Sequence, residues 1–170
     1  MSEPGERHLV LVGLMGVGKT TVGEVLARRL GRVLVDSDLR IEALTGRTVK
    51  QILDADGVAA MRQFEAAALF DALADDEPRV IAAAAGVVLD PENRQRLNAA
   101  DADVVWLTAD PAVLAPRTAS RAHRPWLDED PVGTLRRMQD ERDPLYREIA
   151  DRIMPVDGLT PEQIADRILA

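Results

Sequence analysis

Residues 13 to 20 read Gly-Leu-Met-Gly-Val-Gly-Lys-Thr, placing an ammonium and a hydroxyl on adjacent positions directly after a glycine-rich stretch. The spacing satisfies G-x-x-x-x-G-K-[ST], the pattern of a phosphate-binding loop. Glycine lets the backbone curl so that successive N–H groups point inward at phosphate oxygens, a geometry that side chains would block. Gly13, Met15, Gly16, Val17 and Gly18 would cradle the phosphates, with Thr21 following on the helix. Lys19 would bridge the β- and γ-phosphates as a point charge, and the Thr20 hydroxyl would take one position on Mg²⁺. The expected donor is therefore ATP with Mg²⁺.

Two further groups could complete a phosphoryl transfer. Asp36-Ser37-Asp38 follows a short apolar run, so its carboxylates fall at the mouth of a sheet, where ligands bind in open α/β folds. In extended conformation the two aspartates would share a side, one joining the Mg²⁺ shell and the other accepting a hydroxyl proton. A cap for a helix over 39–44, made by Asp38 or Ser37, is the structural alternative. Arg117, Arg121 and Arg124 crowd a segment that ends at Pro125-Trp126-Leu127. That segment, about 115–128, is expected to be a mobile lid whose arginines reach charge developing on the transferred group. Arg62 and Glu65 stand at i and i+3 on a helix and can meet, which by itself describes a surface ion pair of small worth.

These groups need a scaffold, and the chain alternates strand-length apolar runs with helical periods. The runs are Leu9–Val12, Val33–Val35, Val80–Ala83, Val104–Leu107 and Ile153–Val156. Short unalternating runs suit parallel strands covered on both faces. Val22, Val25, Leu26 and Leu30 form one helix stripe, stopped by Gly31. Asp56-Gly57 leads into a long helix with Met61, Phe64, Ala68 and Leu69 on one side, and Thr160-Pro161-Glu162 opens the last helix. Trp106 reads as core, and His8 and His123 carry no assigned role. The expected architecture is α/β, a single three-layer domain over residues 1–170 with about five parallel strands.

Composition narrows the partners. The chain has 170 residues, a formal net charge of −8 and no cysteine. A broad attraction to nucleic acid or to an anionic membrane is unfavourable, so any bound anion must meet a local cationic cluster. Disulfides, thiolate metal sites and a cysteine nucleophile are excluded, and a cytoplasmic location is expected. The first residues do not form a signal peptide, and no apolar run approaches membrane-spanning length. The expected partner is a small molecule, met by a monomer.

Across nearly its whole length the chain resembles shikimate kinases. The likeness is carried by the 13–20 loop with Thr21, Val35-Asp36-Ser37-Asp38 with Ile41-Glu42, Gly46-Arg47, Arg62 with Glu65, Arg124-Pro125, and Arg142-Asp143-Pro144-Leu145-Tyr146-Arg147. It implies the P-loop kinase fold and transfer of a phosphoryl group from ATP to the 3-hydroxyl of shikimate. By position, Asp38 matches the aspartate that holds the substrate hydroxyls and acts as base, and Asp36 the one near Mg²⁺. Arg62 and Arg142 match the pair that clamps the carboxylate, Arg124 the lid arginine that reaches ATP, and Arg117 another arginine of the lid region. Guanidinium forks suit a planar carboxylate.

One block departs. Where the family has three consecutive glycines against the substrate, this chain has Ala84-Ala85-Gly86. Ala85 and Gly86 keep their expected place at the substrate, but the added methyls predict a tighter fit there. A relative acting on a different small alcohol or cyclitol, or a degenerate nucleotide-binding module, is the competing expectation. A nucleoside monophosphate kinase would need a base-recognition pocket that is not legible here, and a P-loop GTPase would need Asn-Lys-x-Asp, which does not occur. The turn at Asp157-Gly158 falls where an adenine-contacting loop would lie.

Overall fold

In the computed structural model, which describes residues 6–119 and 129–170, five strands form one parallel sheet. They are β1 His8–Val12, β2 Leu34–Asp36, β3 Val80–Ala82, β4 Ala102–Thr108 and β5 Arg152–Pro155. Their order is β2-β3-β1-β4-β5. The register places Val10 beside both Ile81 and Val104. The chain winds to one side of β1 for β2 and β3, then to the other for β4 and β5. That reversal opens a crevice at the carboxyl end of β1, where the glycine-rich loop begins.

The central strands are apolar without alternation because both faces are covered: every residue of β1 and β3 is buried. At the edge, β5 alternates between half-buried and exposed residues, and it starts one residue earlier than its apolar run suggests. Val33 is left outside β2 and exposed, while β2 extends instead to Asp36.

The helices are α1 Lys19–Leu30, α2 Ser37–Thr45, α3 Val49–Leu73, α4 Pro91–Ala99, α5 Pro111–Ala119, α6 Pro131–Ile149 and α7 Pro161–Leu169. Val22, Val25 and Leu26 bury the predicted face of α1, and Gly31 ends it in a left-handed cap. Helix α3 is broken at Gly57, so the long helix expected after Asp56-Gly57 is preceded by a further helical stretch from Val49. Thr160 caps α7 in a capping box with Gln163, with Pro161 in the first turn.

Two cores result. The main one, holding Leu11, Leu26, Ile81, Leu107 and Tyr146, lies around the sheet. A smaller one, Ile41, Ile52, Met61 and Ala68, ties α2 to α3 and is flanked by Val49 and Leu53. Met61, Val49 and Leu53 also form part of a cavity wall. The smaller core therefore holds one side of the site described next.

Candidate active site

The crevice holds a cavity of about 330 Å³. Lys19, Lys50, Arg62 and Arg142 line it against Asp36, Asp38 and Glu65, so cations outnumber carboxylates here in a chain whose net charge is −8. This is the local cluster that anion binding by an acidic protein requires.

On the donor side, Gly13, Gly16 and Gly18 all take positive φ, and a Cβ at Gly13 would meet the Leu107 carbonyl oxygen at 2.4 Å. The loop thus curls tightly over the end of β4. Its lysine folds back on it, Lys19 Nζ donating to the carbonyls of Gly13 (2.8 Å) and Leu14 (3.1 Å). Those bonds hold the ammonium at the place where phosphate oxygens would replace the carbonyls. Met15, Gly16, Gly18, Lys19 and Thr20 line the cavity. Gly13 and Val17 shape the loop from behind, and Thr21 is exposed on α1.

Thr20 and Asp36 come together as the sequence predicts, with Thr20 Oγ1 donating to Asp36 Oδ2 at 2.6 Å. Two hard oxygen donors side by side suit a small divalent cation that keeps water and phosphate as its other ligands. Asp36 does a second job. Its Oδ1 accepts from the Asp38 and Leu39 N–H groups, at 3.0 and 3.2 Å, so it is the cap of α2. This corrects both the expected cap residue and the expected start of that helix. It also replaces the extended Asp36–Asp38 geometry: the chain turns helical at Ser37, and Asp38 reaches the cavity from the first turn of α2.

The acceptor side is built from α3, α6 and the turn after β3. Arg62 Nη1 donates to Glu65 Oε2 at 2.8 Å, and the Glu65 side chain is only 7% exposed against 30% for Arg62. The pair is thus anchored from a buried carboxylate and is no ordinary surface bridge. Gly86 explains its placement: a Cβ there would lie 1.8 Å from Arg62 Nη1 and 2.2 Å from Cζ. The guanidinium rests on the bare backbone of Gly86. Arg142 is buried, and its Nε has no hydrogen-bond partner. A buried cation that lines a cavity is suited to receive an anion there, since an anion would balance its desolvated charge.

The Ala84-Ala85 variation is accommodated locally. Among the described residues none but glycine takes a positive φ, so both alanines hold ordinary backbone. Ala84 packs on the main core, both residues line the cavity, and the Ala85 carbonyl accepts from the Tyr146 hydroxyl at 2.6 Å. Burial pushes the Tyr146 phenol well above the usual tyrosine range, against the pull of the Arg142 and Arg62 charges. It stays a donor at any physiological pH.

Arg117 lies exposed on the last turn of α5 and does not line the cavity, whereas Thr118 beside it does. Residues 115–119 of the expected lid are helical, with Ala115 and Thr118 buried. The rest of that segment, with Arg121, His123, Arg124 and Trp126, lies outside the described residues. Asp157 accepts from the Asp110 N–H at 3.2 Å, fixing the turn after β5 against the start of α5. His8 Nδ1 accepts from the Arg79 N–H, and Trp106 is core, stacked on Tyr146 at 5.6 Å. The wall residues Lys50, Val58, Thr118 and Met138 carried no motif. Val49 and Leu53 had an available signal: Thr48 and Gln51 form a capping box that opens their helix.

The family model described as shikimate kinase matches residues 15–170. The shikimate kinase of Dechloromonas aromatica is 41% identical over 96% of this chain and 88% of its own length. That of Chromobacterium violaceum is 47% identical over 86% and 79%. A solved structure of shikimate kinase from Acinetobacter baumannii in complex with shikimate superimposes with a TM-score of 0.90 at 35% identity, covering 96% of this chain and 91% of that one. A gluconokinase from Sinorhizobium meliloti, at TM-score 0.66 and 20% identity, shares the fold. With its phosphate loop, helix-capping aspartate and two arginines all lining one crevice, the chain belongs to the shikimate kinase family.

Proposed function

We propose that this chain transfers the γ-phosphoryl group of ATP to the 3-hydroxyl of shikimate. The observation that carries the reading is the convergence of Arg62 and Arg142 on the cavity that Lys19 and Asp38 also line. Two guanidinium groups, one seated on Gly86 and one buried on α6 at the cavity wall, form a carboxylate clamp. Asp38 faces the same space and takes the hydroxyl proton as the oxygen attacks phosphorus. Lys19 leaves its loop carbonyls to hold the β- and γ-phosphates, and the loop N–H groups hold the remaining oxygens. Thr20 and Asp36 would hold Mg²⁺, which when bound neutralises charge on the β- and γ-phosphates. Arg124 and Arg117 are assigned to the lid and ATP, and the Asp157-Gly158 turn to the adenine side.

The reading extends to the chain as a whole: one P-loop kinase domain over residues 1–170, acting as a cytoplasmic monomer without nucleic-acid or membrane partners. The acidic net charge and the lack of cysteine support this. No helix of the described residues is long and apolar enough to cross a membrane.

A second reading rests on one observation, the methyls of Ala84 and Ala85 at the acceptor wall. They favour an acceptor slimmer on that face, another small hydroxy acid or cyclitol. ADP release with Mg·ATP, measured across shikimate, quinate, other cyclitols, gluconate and nucleoside monophosphates, separates the readings. Shikimate should accelerate release most. Acceleration by a nucleotide alone would overturn both readings, and acceleration by nothing would leave a nucleotide-binding module. Restoring glycine at 84 and 85 should raise shikimate turnover if the methyls crowd the ring, and no rise would remove that argument.

A further inference from the structure

Within the 142–147 block the phosphoryl-transfer scheme uses Arg142 alone, yet the largest fully buried side chain among the described residues is Tyr146, one helical turn further along α6. Its ring stacks on Trp106 of β4 with 25° between planes, and the Arg147 guanidinium covers the other ring of that stack. The ring is therefore fixed by the sheet. Its hydroxyl is short-bonded to the carbonyl of Ala85, and the Arg142 and Arg62 charges both act on that oxygen.

The turn that the hydroxyl grips is tied down on either side, by the Ala83 N–H on the Leu11 carbonyl before it and by the Asn93 and Arg94 side chains on the Val87 and Val88 carbonyls after it, and Tyr146 supplies the tie at its middle. Two backbone bonds close it, Val87 N–H to the Ala84 carbonyl at 3.3 Å and Leu89 N–H to the Gly86 carbonyl at 3.1 Å. The same turn supplies the bare Gly86 backbone on which Arg62 lies. A shift of the turn would therefore move Arg62 relative to Arg142. In a clamp whose two halves sit on α3 and α6, some element must fix their separation, and a phenol bonded to the turn and neighbouring both cations does so.

Building on the functional reading above, we propose that Tyr146 is a positioning residue: its hydroxyl locks the Ala84–Gly86 turn and thereby sets the spacing of the Arg62–Arg142 carboxylate clamp. It touches neither phosphate nor the reacting hydroxyl, so its loss acts on acceptor binding and leaves the donor side alone.

Tyr146→Phe keeps the stacked ring and removes the hydroxyl. In the free protein, amide hydrogen exchange at Val87 should speed up by about five-fold, the weight of one neutral hydrogen bond, while β1 amides stay protected. With ATP saturating, the acceptor KM should rise by about five- to ten-fold with little change in kcat, and the ATP KM should hold. In a double-mutant cycle with Ala85→Gly, which leaves the hydroxyl in place but loosens the turn, the acceptor effects should be non-additive. Unchanged Val87 exchange overturns the proposal whatever the acceptor is. Equal rises in acceptor and ATP KM, or strict additivity with Ala85→Gly, overturn it as well. A wild-type chain that phosphorylates no carboxylated acceptor defeats the functional reading instead, and the exchange result then still decides whether Tyr146 holds the turn.

Discussion

Replacing Gly86 by alanine puts the acceptor clamp to a quantitative trial. The new Cβ would stand 1.8 Å from Arg62 Nη1, 2.2 Å from Cζ and 2.9 Å from Nε. Ordinary heavy-atom contact begins near 3.5 Å, so the guanidinium must retreat by roughly 2 Å. The 2.8 Å bond to Glu65 cannot survive that displacement. Because the clashing atoms are the far end of a flexible side chain, the fold absorbs the change by swinging Arg62 outward. The stability loss comes from breaking the bond between Arg62 and the buried Glu65 carboxylate, and amounts to about 1–3 kcal/mol after allowing for the partial exposure of Arg62. For a chain of this size that is a fall in Tm of about 3–10 °C. Losing a charged fork on a carboxylate costs about 1.5–3 kcal/mol of binding, a rise in acceptor KM of about 10- to 100-fold. Steady-state ADP release, with shikimate varied at saturating ATP and then the reverse, reads both constants. The ATP KM should stay at its wild-type value. An unchanged acceptor KM in a folded Gly86→Ala protein would refute the seat of Arg62 on the turn, its grip on the substrate, or both.

Other side chains give separate tests. Asp36→Asn should raise the Mg²⁺ concentration needed for half-maximal turnover by at least about 10-fold while Tm barely moves, because asparagine caps α2 as well as aspartate does; an equally large fall in stability would mean the cap is its main work. Lys19→Ala should lower kcat at least about 100-fold with every acceptor, and retained turnover would remove the loop from the chemistry. Burial raises the Asp143 carboxyl above its ordinary value of 3.8, with Arg147 opposing and Asp140 adding to the rise. Its contribution to stability is therefore complete below that value and is lost as pH rises through the raised one. Asp143→Asn should accordingly melt higher than wild type at pH 7 and lose that advantage near pH 3; a lower Tm at pH 7 would show that the Arg147 attraction outweighs burial.

What the sequence reveals of this site depends on how local the cause is. The phosphate loop is legible because its backbone curl and its lysine and threonine are consecutive. Asp36 is legible as a carboxylate at a strand end, but its double use as helix cap is not, since capping depends on where the chain turns. Arg142 becomes visible only through family likeness: its burial on α6 and its place in the same cavity as Arg62 on α3 are products of tertiary packing. The same holds for Met61, which reads as a core position by helical period and turns out to serve both the small core and the cavity wall. Helices α4 and α6 are absent from the expected architecture, yet Asp90-Pro91 and Asp130-Pro131 mark their starts with a capping aspartate and a proline in the first turn. The methyls of Ala84 and Ala85 looked disruptive in sequence because the glycines they replace suggest positive φ or close approach. With negative φ at both and Ala84 packed on the core, the close approach that matters is at Gly86.

The most direct test of the central claim is phosphorus NMR of a reaction holding the protein, Mg·ATP and shikimate. Phosphoryl transfer to the 3-hydroxyl predicts one phosphomonoester resonance, coupled to the ring proton at that carbon and growing in step with ADP. Inorganic phosphate as the sole product, or an ester formed with another acceptor in the panel but not with shikimate, would contradict it.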